Sequence, residues 1–155
     1  MNRLSESVSK RTRKYLENAY MELIPVPGIE EKLGTLQKNM HLSVTCSPTK
    51  GVDATLELTE KLIKRGFQVT PHISAKCVSG EKHLETIVKK LDELKIESIF
   101  VPGGDGPEPI GIFNNAYDLL KALQKSGHNI KKIGIAAHPE GHPDITEKIL
   151  MQALE

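Results

Sequence analysis

The sequence predicts an α/β protein built from five βα units with parallel strands. Three observations carry this. Short runs rich in β-branched and apolar residues alternate with segments whose apolar residues recur at helical spacing. Strand starts fall roughly 20 to 35 residues apart, enough for a helical crossover, which implies parallel right-handed βαβ units. Strand after strand then breaks off in Gly, Pro or a polar side chain, where parallel α/β proteins place their chemistry.

Taken in order, residues 1–20 read as a basic arm, helical in SKRTRKYLENAY, and residues 21–155 as one domain. MELIPV (21–26) is the first strand, closed by Pro25, Pro27 and Gly28, with Glu22 inside the apolar run. Residues 29–38 form a first helix, and HLSVTC (41–46) the second strand, followed by the loop SPTKG. Residues 52–65 are helical: Leu56, Leu58, Leu62 and Ile63 make the stripe and Gly66 ends it. FQVTPHIS (67–74) is the third strand, and Pro71 marks its end or an irregularity. A helix over 79–94 carries Leu84, Ile87, Val88, Leu91 and Leu94 on one face, with Ser79 as the expected N-cap. SIFVP (98–102) is the fourth strand and runs into Gly103-Gly104-Asp105. Residues 109–125 are largely helical, KIGIAA (132–137) is the fifth strand, and a fifth helix opens at 145.

Two architectures suit this pattern. A five-stranded doubly wound, flavodoxin-like sheet matches a chain of 155 residues. The other is a partial (β/α) barrel of the TIM type, whose full form needs about 250 residues. Length favours the open sheet, while polar groups converging at several strand ends are barrel-like: Glu22, Ser43, Thr45, His72, Ser74, Asp105 and His138.

Composition narrows the function. The formal net charge is +1 and aromatic residues make up 4% with no Trp, so neither a basic field nor stacking platforms for nucleic acid are present. No apolar run approaches the length of a membrane span, and the basic stretch at residues 1–14 is not followed by a signal-type apolar region. A cytoplasmic protein is expected, without membrane or nucleic-acid partners. Cys46 and Cys77 form no CxxC and are expected as free thiols.

Glu22 is the most informative residue. A carboxyl within MELIPV points into a core or a site, or faces water from an edge strand; buried, it needs a partner or holds its proton, which suits a general acid. Asp105 either caps the next helix or sits in a site beside the glycines. Gly103 and Gly104 allow close backbone approach to a ligand, but GGDG is neither GxGxxG nor a P-loop. His72, His138, Glu140 and His142 have metal-ligating chemistry, yet no helical HExxH or Cys pair supports them, and no metal is expected. His41, His83 and His128 read as surface residues.

Together these strand ends resemble the methylenetetrahydrofolate reductase family. The family's first-strand Glu, followed three residues on by Pro, is matched by Glu22 and Pro25. Its Ser-Val-Thr is matched by Ser43-Val44-Thr45, and its Pro-His by Pro71-His72. Its Arg-Gly-Asp becomes Gly103-Gly104-Asp105, and an Ala with Asp-Leu two residues on recurs as Ala116 and Asp118-Leu119. Its Ala-Tyr-Pro-Glu-x-His-Pro is matched by AHPEGHP at 137–143, the most specific of the motifs.

The resemblance implies a flavin-binding (β/α) barrel, present here as about five units, that reduces 5,10-methylenetetrahydrofolate to 5-methyltetrahydrofolate. FAD is the implied cofactor, NAD(P)H the co-substrate, and the folate the small-molecule partner, in a ping-pong sequence. It makes Glu22 the general acid that opens the folate's imidazolidine ring and Asp105 the residue tuning the flavin's electrostatics. Thr45, Cys46, Pro48, His72, Gly103, Gly104, Ala116, His138 and His142 match positions lining FAD. Gly103 stands where the family has Arg, and His138 where it has Tyr. The resemblance runs from about residue 20 to about 154, so the chain is expected to be part of a reductase. The alternative expectation is a non-catalytic flavin- or pterin-binding module, or a subunit of a homo-oligomer or mixed assembly that completes its barrel with another chain, since five units leave two unpaired edges.

Overall fold

The computed structural model describes residues 3–17, 19–36, 38, 40–105, 108–138, 140, 141, 146 and 151. A helix, α1 (Arg3–Glu17), precedes the first strand. Five short strands follow among the described residues: β1 (Met21–Leu23), β2 (His41–Val44), β3 (Gln68–Pro71), β4 (Ser98–Val101) and β5 (Lys132–Ile135). Between them lie α2 (Ile29–Lys32), α3 (Gly51–Lys64), α4 (Glu81–Glu93) and α5 (Ala116–Lys125). The fold is thus mixed α/β with parallel strands in open sheets. Most of the fifth helix expected from residue 145 lies outside the described residues.

β1, β2 and β3 pair in that order, all parallel, with Glu22 opposite Ser43 and Ser43 opposite Thr70. β4 and β5 pair in parallel, with Phe100 opposite Gly134. A bridge between His72 and Phe100 joins the two sheets, backed by Ile73 N–H donating to the Phe100 carbonyl at 2.8 Å and Ala75 N–H to Pro102 at 3.0 Å. The five strands therefore lie side by side in sequence order.

Alternation along the strands separates two faces. Leu42, Val44, Val69, Ile73, Ile99 and Val101 are buried on one face. α3 packs on it through Leu56, Leu58 and Leu62, α4 through Leu84, Ile87, Val88 and Leu91, and α5 through Leu119 and Leu123. Each such fully buried side chain contributes about 1.5–3 kcal/mol. The opposite face carries Glu22, Ser43, Thr70, His72, Ser98 and Phe100, and no described helix contributes to the cavity there.

Boundaries depart from expectation where side chains or glycines intervene. The helix expected over 29–38 stops after one turn and becomes a 3-10 turn at Leu33–Thr35, containing Gly34. α4 starts at Glu81, with Gly80 at the N-cap position instead of Ser79. Ser79 N–H and hydroxyl instead lie 3.1 and 3.2 Å from Nδ1 of His83. Nε2 of His83 reaches Asp53 of α3 at 3.3 Å, so His83 clips α4 to α3 where a surface residue was expected. The helix expected from 109 begins at Ala116, where Asn115 Oδ1 accepts from Asp118 N–H at 3.0 Å. Asp105 therefore does not cap α5. No described helix is long and apolar enough to cross a membrane.

Candidate functional site

The open face of the sheet holds a cavity of about 330 Å³, at the low end for a small-molecule pocket. Its walls include Glu22 from β1, Ser43 from β2, Thr70 from β3, Ser98 and Phe100 from β4, and His72 just past β3. Period-two alternation puts these groups together: Ser43, Thr70, His72 and Phe100 each lie between residues buried on the helix face, while Glu22 and Ser98 each have one such neighbour.

His72 stands at the centre of the contacts. Its Nε2 is 2.7 Å from the Ser43 hydroxyl and 4.0 Å from Oε2 of Glu22. Its ring lies against Phe100, with centroids 4.7 Å apart. Burial holds the imidazole below its ordinary pKa, and the negative charge of Glu22 offsets this only in part. Glu22 lies on an edge strand with its side chain 63% exposed, so the buried acid that the apolar run allowed is not what the fold gives. Tyr20, which also lines the cavity, lies against the His41 ring with centroids 4.0 Å apart. Burial, and then the charge of Lys132, lower the His41 pKa.

The remaining sequence-derived candidates spread along the strand ends. Thr45 donates its hydroxyl to the Leu23 carbonyl at 3.2 Å. Cys46 packs against the core between sheet and helices, and burial pushes its thiol up to about 12. Cys77 adds to that shift, so the two thiols are neighbours, both free. Pro48 is exposed in the loop before α3. Gly103 and Gly104 follow β4; the Gly103 carbonyl accepts from Lys76 N–H at 3.0 Å, tying that loop to the 3-10 turn Ala75–Cys77. Asp105 is exposed beyond them, and His138 is half-buried after β5. Ala116, in the first turn of α5, packs against the core. His142 lies outside the described residues.

The fold thus brings Glu22 and His72 into one cavity. It places Gly103, Gly104 and Asp105 on a neighbouring loop, and turns Cys46 and Ala116 toward the helix side. Two features escaped sequence reasoning. Ser43 was legible as a polar strand residue but not as the partner of His72. Ser74, 1% exposed, has a buried hydroxyl with no hydrogen-bond partner among the described residues. Among the described residues, no group of three or more His, Cys, Asp or Glu side chains is placed to hold a metal ion. No protein-family model matches the chain.

Proposed function

We propose that this chain is the flavin- and folate-facing part of a cytoplasmic, NAD(P)H-dependent methylenetetrahydrofolate reductase, folded as a partial (β/α) barrel. The observation that carries the reading is the winding of the sheet. Five parallel strands run in sequence order, with α3, α4 and α5 on one face and Glu22, Ser43 and His72 on the other. A doubly wound sheet reverses its strand order and takes helices on both faces. One-way winding is what a barrel wall does, and its inner face and strand ends form the site. The motifs at those strand ends supply the family.

The residues fit a flavin on two counts. The cavity is open and walled by His72, and a Cβ added to Gly103 would meet nothing within 4 Å, leaving bare backbone for a flat ring to approach. Thr45, His72, Gly103, Gly104 and His138 would hold FAD, with Cys46 and Ala116 packing behind. Bound FAD supplies hydride transfer from NAD(P)H to the folate. Asp105 would set a negative charge beside the ring. Glu22 would act as the proton donor to the folate nitrogen as the imidazolidine ring opens. A strand added along the edge of β1 that no described strand pairs would shield the Glu22 carboxyl from water.

The test is flavin uptake by the natural assembly. A yellow protein, or a colourless one that takes up added FAD, supports the reading. An assembly that stays colourless with excess FAD counts against it.

A second reading, a binding module or a subunit whose barrel is completed by another chain, is favoured by the sheet edges. β1 and β5 each pair on one side only among the described strands, and Ile133 of β5 is 37% exposed. Native mass spectrometry separates the two: the second reading requires another chain bound in a fixed ratio.

A further inference from the structure

The composition of α1 is that of a helix that needs a surface to lie on. Its 15 residues include three Ser and one Thr, all weak helix formers. Residues 8–15 carry Lys10, Arg11, Arg13 and Lys14 and no acid, and like charges three and four apart repel. A helix of this length is marginal in water even when built of good formers. Yet among the described residues neither core cluster takes a side chain from α1, and residues 8–15 are exposed throughout. Val8 and Tyr15, two turns apart, share one line along this helix. Arg11 and Lys14 flank that line on one side, Ser9 and Thr12 on the other.

A surface of matching pattern lies on the helix side of the sheet. Between α4 and α5 runs a groove of about 880 Å³, with Val88 buried in it and Ile112 exposed at its margin. The α4 wall carries four acids, Glu81, Glu85, Asp92 and Glu93, against one base, Lys89. The α5 wall carries Lys121 and Lys125 against Asp118. One wall is therefore acidic, as one flank of α1 is basic. Glu81 and Glu85 make no ion pair among the described residues. The lengths also agree, about 20 Å for α4 and about 22 Å for α1.

We propose that α1 of a second copy of this chain docks in the α4–α5 groove, with Val8 and Tyr15 turned into it and Arg11 and Lys14 along the acidic α4 wall. Exchanged both ways, the contact gives a symmetric dimer. Reach assigns the helix to a second copy. Glu17 to Met21 is four Cα steps, about 14 Å at most. The groove lies three strand spacings from β1, about 14 Å across the sheet, and then beyond α4, itself about 10 Å wide. A copy's own α1 falls short of its own groove. The surface is on the opposite face from Glu22 and His72, so the proposal stands apart from the reductase reading.

The experiment is sedimentation velocity on the full chain, with zero-length carbodiimide cross-linking of an equal mixture of ¹⁴N and ¹⁵N copies. The expected result is a dimer that weakens with added salt, in which Lys10 or Lys14 is joined to Glu81 or Glu85 and light peptides are joined to heavy ones as often as to their own kind. Arg11→Glu with Lys14→Glu, or Glu81→Lys with Glu85→Lys, should weaken the dimer at least about tenfold. Mixing the two variants pairs a reversed helix with a reversed groove and should restore it. A chain that stays monomeric at high micromolar concentration overturns the proposal, whether or not it binds vesicles of anionic lipid through α1. So does a dimer indifferent to both reversals, or cross-links confined to peptides of like label. The wild-type cross-links decide even if a variant fails to fold.

Discussion

A Cβ added to Gly104 would stand 2.3 Å from the buried hydroxyl oxygen of Ser74. Gly104 also has φ of +106°, a conformation that other residues adopt only with strain. The second glycine of the GGD loop is therefore fixed by what it touches. The first is not, since a Cβ on Gly103 meets nothing within 4 Å.

Gly104→Ala should cost about 2 kcal/mol or more, read as a lowered urea midpoint, while Gly103→Ala stays within about 0.5 kcal/mol. Ser74→Ala removes a buried hydroxyl that has no partner and should be near neutral or stabilising. In the double variant the 2.3 Å clash is gone, leaving backbone strain and a 3.2 Å approach to the Lys76 Cβ, so the two changes should be non-additive. Additive losses would mean that the hydroxyl is not the obstacle.

The thiol of Cys46 should be nearly inert toward alkylation at neutral pH. The thiolate is the reactive form, and burial, reinforced by Cys77, pushes its pKa up to about 12. Labelling should follow the fraction unfolded as urea is added. Fast labelling of native protein at Cys46, located by peptide mapping, would contradict the packing described here.

Glu60 links two helices: it accepts from Lys64 of α3 at 2.7 Å and from Lys90 of α4 at 2.6 Å. These contacts, Lys64 first, bring its carboxyl down to about 2 from an ordinary 4.5. A depressed folded-state pKa gives stability that is present above pH 4.5 and lost as the pH falls toward 2. Glu60→Gln should flatten that part of the stability profile, and added salt should do the same because the pairs lie at the surface. An unchanged acid limb in the variant would show that these pairs contribute nothing.

Much of the fold was legible because alternation and helical stripes report burial directly. HLSV put Leu42 and Val44 on one face and Ser43 on the other, and the stripe of α4 is the one that packs. What escaped was set by contacts between distant segments. The stretch before α5 is not helical: a Cβ on Gly111 would come within 2.4 Å of the Ser79 backbone, a contact made across the fold. His83 read as a surface residue because Asp53 stands 30 residues away. At the site, the sequence marked Glu22 and His72 but not their shared nitrogen contact with Ser43, 29 residues from His72. The exposure of Glu22 depends on β1 being an edge strand, a property of pairing that three residues of sequence do not encode.

In the proposed reductase, Glu22 gives the proton in flavin-dependent folate reduction. An anaerobic half-reaction experiment on the FAD-loaded natural assembly tests it most directly. NAD(P)H should bleach the flavin equally in wild type and Glu22→Gln. 5,10-Methylenetetrahydrofolate should then restore the colour in wild type and do so at least about 100-fold more slowly in the variant, the scale of a lost general acid. Colour returning at the wild-type rate in Glu22→Gln would contradict the assignment, and a flavin that NAD(P)H does not bleach would contradict the reductase reading itself.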